Sequence, residues 1–165
     1  MNDRPRIGIG LTTGDKILEI AGWVLVIFIW AMTILKYPSL PESIPMHFNA
    51  SGQVDGYGGR GTILLLPVLS AILFGGLTIL NKYPHIFNYP VPVTDENAER
   101  QYRYATRLIR YIKLILVLIF LCIEFQTIQT ASGKSAGLWH WFLPVTMVLV
   151  FVPIVFFIFK AVRSK

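Results

Sequence analysis

Four stretches of this chain, 17–35, 62–80, 112–131 and 139–159, are each long enough to cross a bilayer and almost free of charge. A hydrocarbon core of ~30 Å takes about 20 apolar residues as helix. Ile17–Leu35 carries one charge, Glu19, near its start; Thr62–Leu80 and Trp139–Phe159 carry none; Ile112–Ala131 carries Lys113 at its edge and Glu124 inside. Lipid offers no partners for backbone N–H and C=O groups, so such segments are helices. The alternative is a set of core helices in a soluble domain. With 54% of the chain hydrophobic and 15% charged, too little polar chain remains to cover four of them; soluble domains carry about 25% charge. The same composition excludes disorder. A single cysteine, Cys122, excludes a disulfide scaffold. The expected fold class is an all-α integral membrane protein. It comprises one membrane domain over 1–165 with four transmembrane helices, an outer loop at 36–61 and a cytoplasmic connection at 81–111. The first stretch exceeds the ~7–15-residue core of a signal peptide and reads as a retained span.

Orientation follows from lysine and arginine. Twelve of the 15 lie in the N-terminal tail, the second connection with the start of the third span, and the C-terminal tail. Only Lys36, Arg60 and Lys134 lie on the other side. Both termini are therefore expected in the cytoplasm (N-in, C-in), with Trp139 and Trp141 at an outer aromatic belt. The formal net charge of +6 is then topological, and nucleic acid is not an expected partner.

The outer loop holds the most specific pattern. Pro38, Pro41 and Pro45 favour extended chain over helix. Asn49–Gly52 and Asp55-Gly56 are turn chemistry. Met46–Phe48 and Gln53–Val54 would then pair as a short hairpin, bringing His47 near Asp55. The loop predicts an ordered cap on the helices. The stretch Leu40-Pro41-x-x-Ile44-Pro45-x-His47-Phe48-Asn49-x-x-Gly52-x-x-Asp55-Gly56-x-Gly58 resembles the signature of domain of unknown function 1648, which is also similar to the N-terminal part of the SdpI-like immunity membrane proteins. Phe87–Val91 and Glu96–Tyr102 resemble members of the same group. The resemblance implies a multi-pass protein of the bacterial inner membrane; it leaves the activity open, with an immunity or signalling role among the readings.

Glu124 is the thirteenth residue of its span, a few ångströms from the midplane at ~1.5 Å per residue. A charge there costs ~2.5–3.5 kcal/mol, so it must be paired, neutral or wet. Thr127 shares its face, and Gln126, Gln129 and Thr130 make the outer half of the helix polar nearly all round. That half is expected to face protein or a vestibule covered by the outer loop. A ligand or proton site would draw on His47, Asn49, Asp55, Arg60, Glu124 and Thr127. A divalent metal such as zinc would take His47, Asp55, Glu124 and His140. The structural alternative has His47 and Asp55 capping turns and Glu124 held by Arg60 or Gln126. Asn49-Ala50-Ser51 fits a glycosylation sequon, a pattern common by chance. HExxH, GxSxG, Walker and CxxC motifs are absent. Cys122 reads as core.

On the inner side, Thr94 reads as an N-cap for a helix running from Asp95 to Thr130. Arg100, Arg103, Arg107 and Arg110 fall within ~80° on that helix. They read as a stripe facing anionic lipid or an acidic cytoplasmic regulator. Ala71-x-x-x-Gly75 suggests close helix contact, within the bundle or in a homo-oligomer. Three functions remain open on these residues. One is a membrane protein that binds or senses a ligand or peptide from outside. A second is a transporter component using Glu124. A third is a metal-dependent membrane enzyme.

Overall fold

The computed structural model describes residues 4–164; Lys165, counted above with the cytoplasmic charges, lies outside them. Helix α1 spans Thr13–Lys36, and a two-stranded hairpin follows, β1 (Ser43–Phe48) and β2 (Val54–Gly59). Helices α2 (Leu65–Leu80), α3 (Ala98–Ala131) and α4 (Phe142–Arg163) complete the chain. Among the described residues, three helical segments are long and apolar enough to cross a membrane: Thr13–Ser39, Arg60–Leu80 and Phe142–Arg163. Helix α3 differs from them. It is 34 residues long, charged at its N-terminal end, and central: α1, α2 and α4 all pack on it, and α1 also packs on α2.

Local chemistry sets the helix ends. Thr12 caps α1 by accepting from the Asp15 N–H, while the Asp15 carboxylate accepts from the Thr12 N–H at 3.0 Å. This reciprocal box satisfies two free amides and starts α1 four residues before the expected span. At the start of α3 the sequence reading needs correction. The Asn97 side chain accepts from the Thr94 N–H at 3.0 Å, and the Ala98 N–H donates to the Thr94 carbonyl at 2.9 Å. A side chain that bonds the backbone locally competes with helix. Residues 94–97 therefore form a turn, and the helix begins at Ala98 instead of Asp95.

The interior is layered along α3. Val26, Phe74 and Val117 form an apolar cluster between α1, α2 and α3. Leu40, Ile44, Ile63 and Ile128 form a second, below the hairpin. Val93, Ala98 and Tyr102 form a third at the N-terminal end of α3, where burial raises the Tyr89 and Tyr102 hydroxyls above their usual pKa. The sequence expects close helix contact at Ala71 and Gly75, within the bundle or between copies; within the chain Ala71 packs on the first cluster, but Gly75 approaches no neighbour closely. A Cβ on Gly75 or Gly76 would meet nothing within 4 Å, whereas one on Gly22 would lie 2.1 Å from the Phe74 ring. Gly22 is the notch that lets the ring seat against α1.

The N-terminal halves of α1 and α3 carry a second correction. Arg107 Nε bonds Asp15 at 3.0 Å, Arg110 lies 3.3 Å from Glu19, and Lys113 Nζ bonds Glu19 at 2.6 Å. Lys113 also bonds Thr78 and stands 4.2 Å from the Phe74 ring centroid. Asp15, Arg110 and Lys113 are buried. The bond to Asp15 raises the Arg107 pKa above its usual value. The arginine stripe is therefore divided: Arg107 and Arg110 turn inward to carboxylates on α1, Arg103 pairs with Glu99, and Arg100 is exposed. Two carboxylates of α1, one helical turn apart, face these cations at matching depth on α3.

Candidate functional site

The hairpin is longer than the sequence suggested. Its strands pair antiparallel from Ser43↔Gly59 to Phe48↔Val54, with register irregularities around His47. At the tip, the Asn49 carbonyl oxygen of the side chain accepts from the N–H groups of Ser51 (2.9 Å) and Gln53 (3.0 Å). Asn49 thus builds the turn. Gly52 completes it at φ +80°, a conformation costly for residues with a Cβ.

This tip is clamped to the α3–α4 connection. The Leu138 N–H donates to the Gly52 carbonyl at 2.8 Å, and Gln53 bridges Gly137. Gln126, buried on α3, donates to the Gly137 carbonyl at 3.0 Å. A Cβ on Gly52 would lie 2.5 Å from the Leu138 carbonyl oxygen, and one on Gly137 2.2 Å from the Gly52 oxygen. Two glycines are thus required at one backbone crossing. Gln126 serves this clamp and not Glu124.

Beneath the hairpin lies a cavity of about 540 Å³. Its roof is β1 and the turn, its walls the N-terminal ends of α2 and α4, and its back α3. Most of the lining is apolar or aromatic, including Ile63, Leu66, Phe48, Trp139 and Phe142. The polar groups at its surface include Glu124, Thr127, Thr62, His47 and Asn49. Glu124 is fully buried. One carboxylate oxygen accepts from the Thr33 hydroxyl of α1 at 2.6 Å; the other has no hydrogen-bond partner. Thr33 Oγ1 also lies 2.8 Å from the Ile29 carbonyl oxygen, so the two acceptors share its single proton.

The structure thus brings His47, Asn49, Glu124 and Thr127 to one cavity. Asp55 and Arg60 are not among its lining residues. Asp55 bonds the His47 ring at the hairpin surface, where the two side chains are 43% and 71% exposed; exposed pairs contribute about 0–1 kcal/mol. Arg60 does not reach Glu124. Its guanidinium sits over the Tyr37 ring, 5.0 Å from the centroid. His140 is exposed at the start of the α4 region. Among the described residues no group of three or more His, Cys, Asp or Glu side chains gathers in metal-binding geometry. His47, Asp55, Glu124 and His140 therefore do not form one ligand set, because the hairpin turns Asp55 away from the helices and His140 lies off the cavity wall. Sequence reasoning missed Thr33, and it missed Gly137 and its crossing with Gly52. A threonine in an otherwise apolar span was the available signal for the first; the glycine pair is joined only by the fold.

Residues 24–71 match the family described as Domain of unknown function (DUF1648). The match runs from α1 through the hairpin into α2; it contains Thr33, His47, Asn49 and Gly52, while Glu124 and Thr127 lie outside it. Together with the three apolar helices found among the described residues, this marks a multi-pass membrane protein with a segment similar to DUF1648 at 24–71. An uncharacterized protein of Archaeoglobus fulgidus is 28% identical over 157 residues, covering 86% of this chain and 82% of its own. No solved structure matches the chain significantly.

Proposed function

We propose that this is a four-span protein, with residues 112–131 of α3 as the additional span, that binds or senses a ligand from the extracytoplasmic side. The observation that carries this reading is the cavity of about 540 Å³ whose lining includes the buried Glu124, one carboxylate oxygen of which has no hydrogen-bond partner. Ligand sites are apolar clefts of ~300–1,000 Å³ with few polar groups, and an intramembrane carboxylate is a site hypothesis by default. The positive-inside distribution supports N-in, C-in topology. That topology places the hairpin and cavity outside. The bacterial inner membrane, SdpI-like kinship and an immunity or signalling role accord with the loop pattern. Relay to a cytoplasmic regulator would run along α3, which joins the cavity to the inner ion pairs.

Binding is favoured over transport by the apolar layer. Glu124 and Lys113 lie on one side of α3, about 16 Å apart at 1.5 Å per residue. Val26, Phe74 and Val117 pack between them. Native mass spectrometry of protein released from its membrane tests the binding reading. Wild type should retain a small molecule that Leu66→Trp, filling the cavity, loses. Identical bound species in both would overturn it.

A further inference from the structure

Accepting the cavity as a ligand site, its chemistry narrows the class of ligand. Glu124 is fully buried, and only one of its oxygens is satisfied. A buried carboxylate needs a proton or a cation beside it. The protein's nearby cations are committed elsewhere. Arg60 lies over Tyr37, and Lys113 is held by Glu19 and Thr78 three helical turns inward. Among the described residues no salt bridge to Glu124 forms within the chain. The remaining lining includes three aromatic rings, Phe48, Trp139 and Phe142, and ring faces attract organic cations.

The walls also indicate how such a ligand arrives. Helices α2 and α4 both pack on α3, with no comparable packing between them. The cavity residues Leu65 and Leu69 of α2 and Leu143 of α4 are exposed on its two flanks. An apolar chain anchored at Glu124 would pass between these flanks toward lipid, while the hairpin covers the aqueous side.

We propose that the cavity binds a membrane-partitioned amphiphile bearing a protonated amine. The ammonium group donates to the free Glu124 oxygen and to the Thr127 hydroxyl, and its alkyl chain leaves between Leu69 and Leu143. A neutral or anionic head of the same size lacks the ion pair.

Decylamine, decanol and decanoate test this with the full chain in lipid nanodiscs, binding to protein-free nanodiscs being subtracted. Decylamine should bind at least about tenfold more tightly than decanol, a step of one decade in Kd, with decanoate weakest. Glu124→Gln should abolish the preference while retaining decanol binding, and Glu124→Asp should keep it. Leu143→Trp should weaken all three. Equal affinities in the wild type, or a preference that survives Glu124→Gln, would overturn the amine assignment alone. Should Glu124→Gln not fold, the wild-type ranking and Glu124→Asp decide. Failure of every chain to bind above background would remove the ligand-site reading as well.

Discussion

Glu124 sits where a charge is most expensive, and its surroundings define what a substitution there does. Removing one partner from a buried charge pair costs about 3–5 kcal/mol because it strands the other. Here no cation would be stranded, since Arg60 is engaged with Tyr37. Glu124→Gln should therefore fold, with thermal stability in detergent micelles close to wild type; a loss of ~3 kcal/mol or more would reveal a hidden cationic partner. Thr33→Val is the more damaging change. It keeps the shape but removes the hydroxyl that donates to Glu124 at 2.6 Å, leaving both carboxylate oxygens unsatisfied. The expected cost is about 1–3 kcal/mol, and the same melting experiment in the Glu124→Gln background should show a different cost, because the two groups are in contact. Additive losses would mean that the bond contributes nothing. Glu124 and Thr127 were legible in the sequence because a carboxylate inside an apolar span stands out. Thr33 was not, since a lone threonine in a helix satisfies itself on the preceding turn, as it also does here with Ile29.

Two contacts between elements carry much of the architecture. The first is the crossing of Gly52 and Gly137. Gly52→Ala adds a Cβ at positive φ, 2.5 Å from a backbone oxygen that cannot move freely. Strain of this kind costs about 1–3 kcal/mol. The variant should lower the melting temperature and speed amide exchange at Leu138, whose N–H bonds Gly52. Unchanged exchange there would show that the hairpin is not clamped. The second is the inner ion-pair layer between α1 and α3. A double-mutant cycle of Glu19→Gln and Lys113→Met should give a coupling of about 0.5–3 kcal/mol. Zero coupling would place the two side chains apart. Hairpin chemistry was readable from Asn49, Gly52 and Asp55-Gly56, because turns are local. The ion pairs were not read: arginines three and four residues apart look the same whether they face lipid or a carboxylate on another helix.

At the scale of the whole molecule, α3 is the axis. The cavity lies along its C-terminal half, the ion pairs surround its N-terminal half, and an apolar layer of Val26, Phe74 and Val117 lies between them. The proposed topology makes a direct prediction. In a Cys122→Ser background, a membrane-impermeant thiol reagent added outside intact cells should label Ser51→Cys and Lys134→Cys but not Glu96→Cys or Arg163→Cys. All four positions are exposed in the structure, so their labelling reports sidedness and not burial. The reverse pattern would put the hairpin in the cytoplasm and remove the extracytoplasmic reading.

Composition and the length of the apolar stretches determined by themselves that this chain is helical and built for a bilayer, because lipid permits few backbone solutions and the hydrophobic lengths match its thickness. Turn-forming residues likewise determined that the outer loop is a hairpin with His47 beside Asp55. What the tertiary structure alone decided is which polar groups meet. It sent Arg107, Arg110 and Lys113 inward to Asp15 and Glu19, kept Arg60 and Asp55 off the cavity, and gave Glu124 a partner 91 residues away in Thr33. Those outcomes depend on helix rotation and depth relative to neighbouring helices. Rotation and depth are set by side chains interlocking across interfaces, such as Phe74 in the notch at Gly22, and no periodicity within a single segment encodes them.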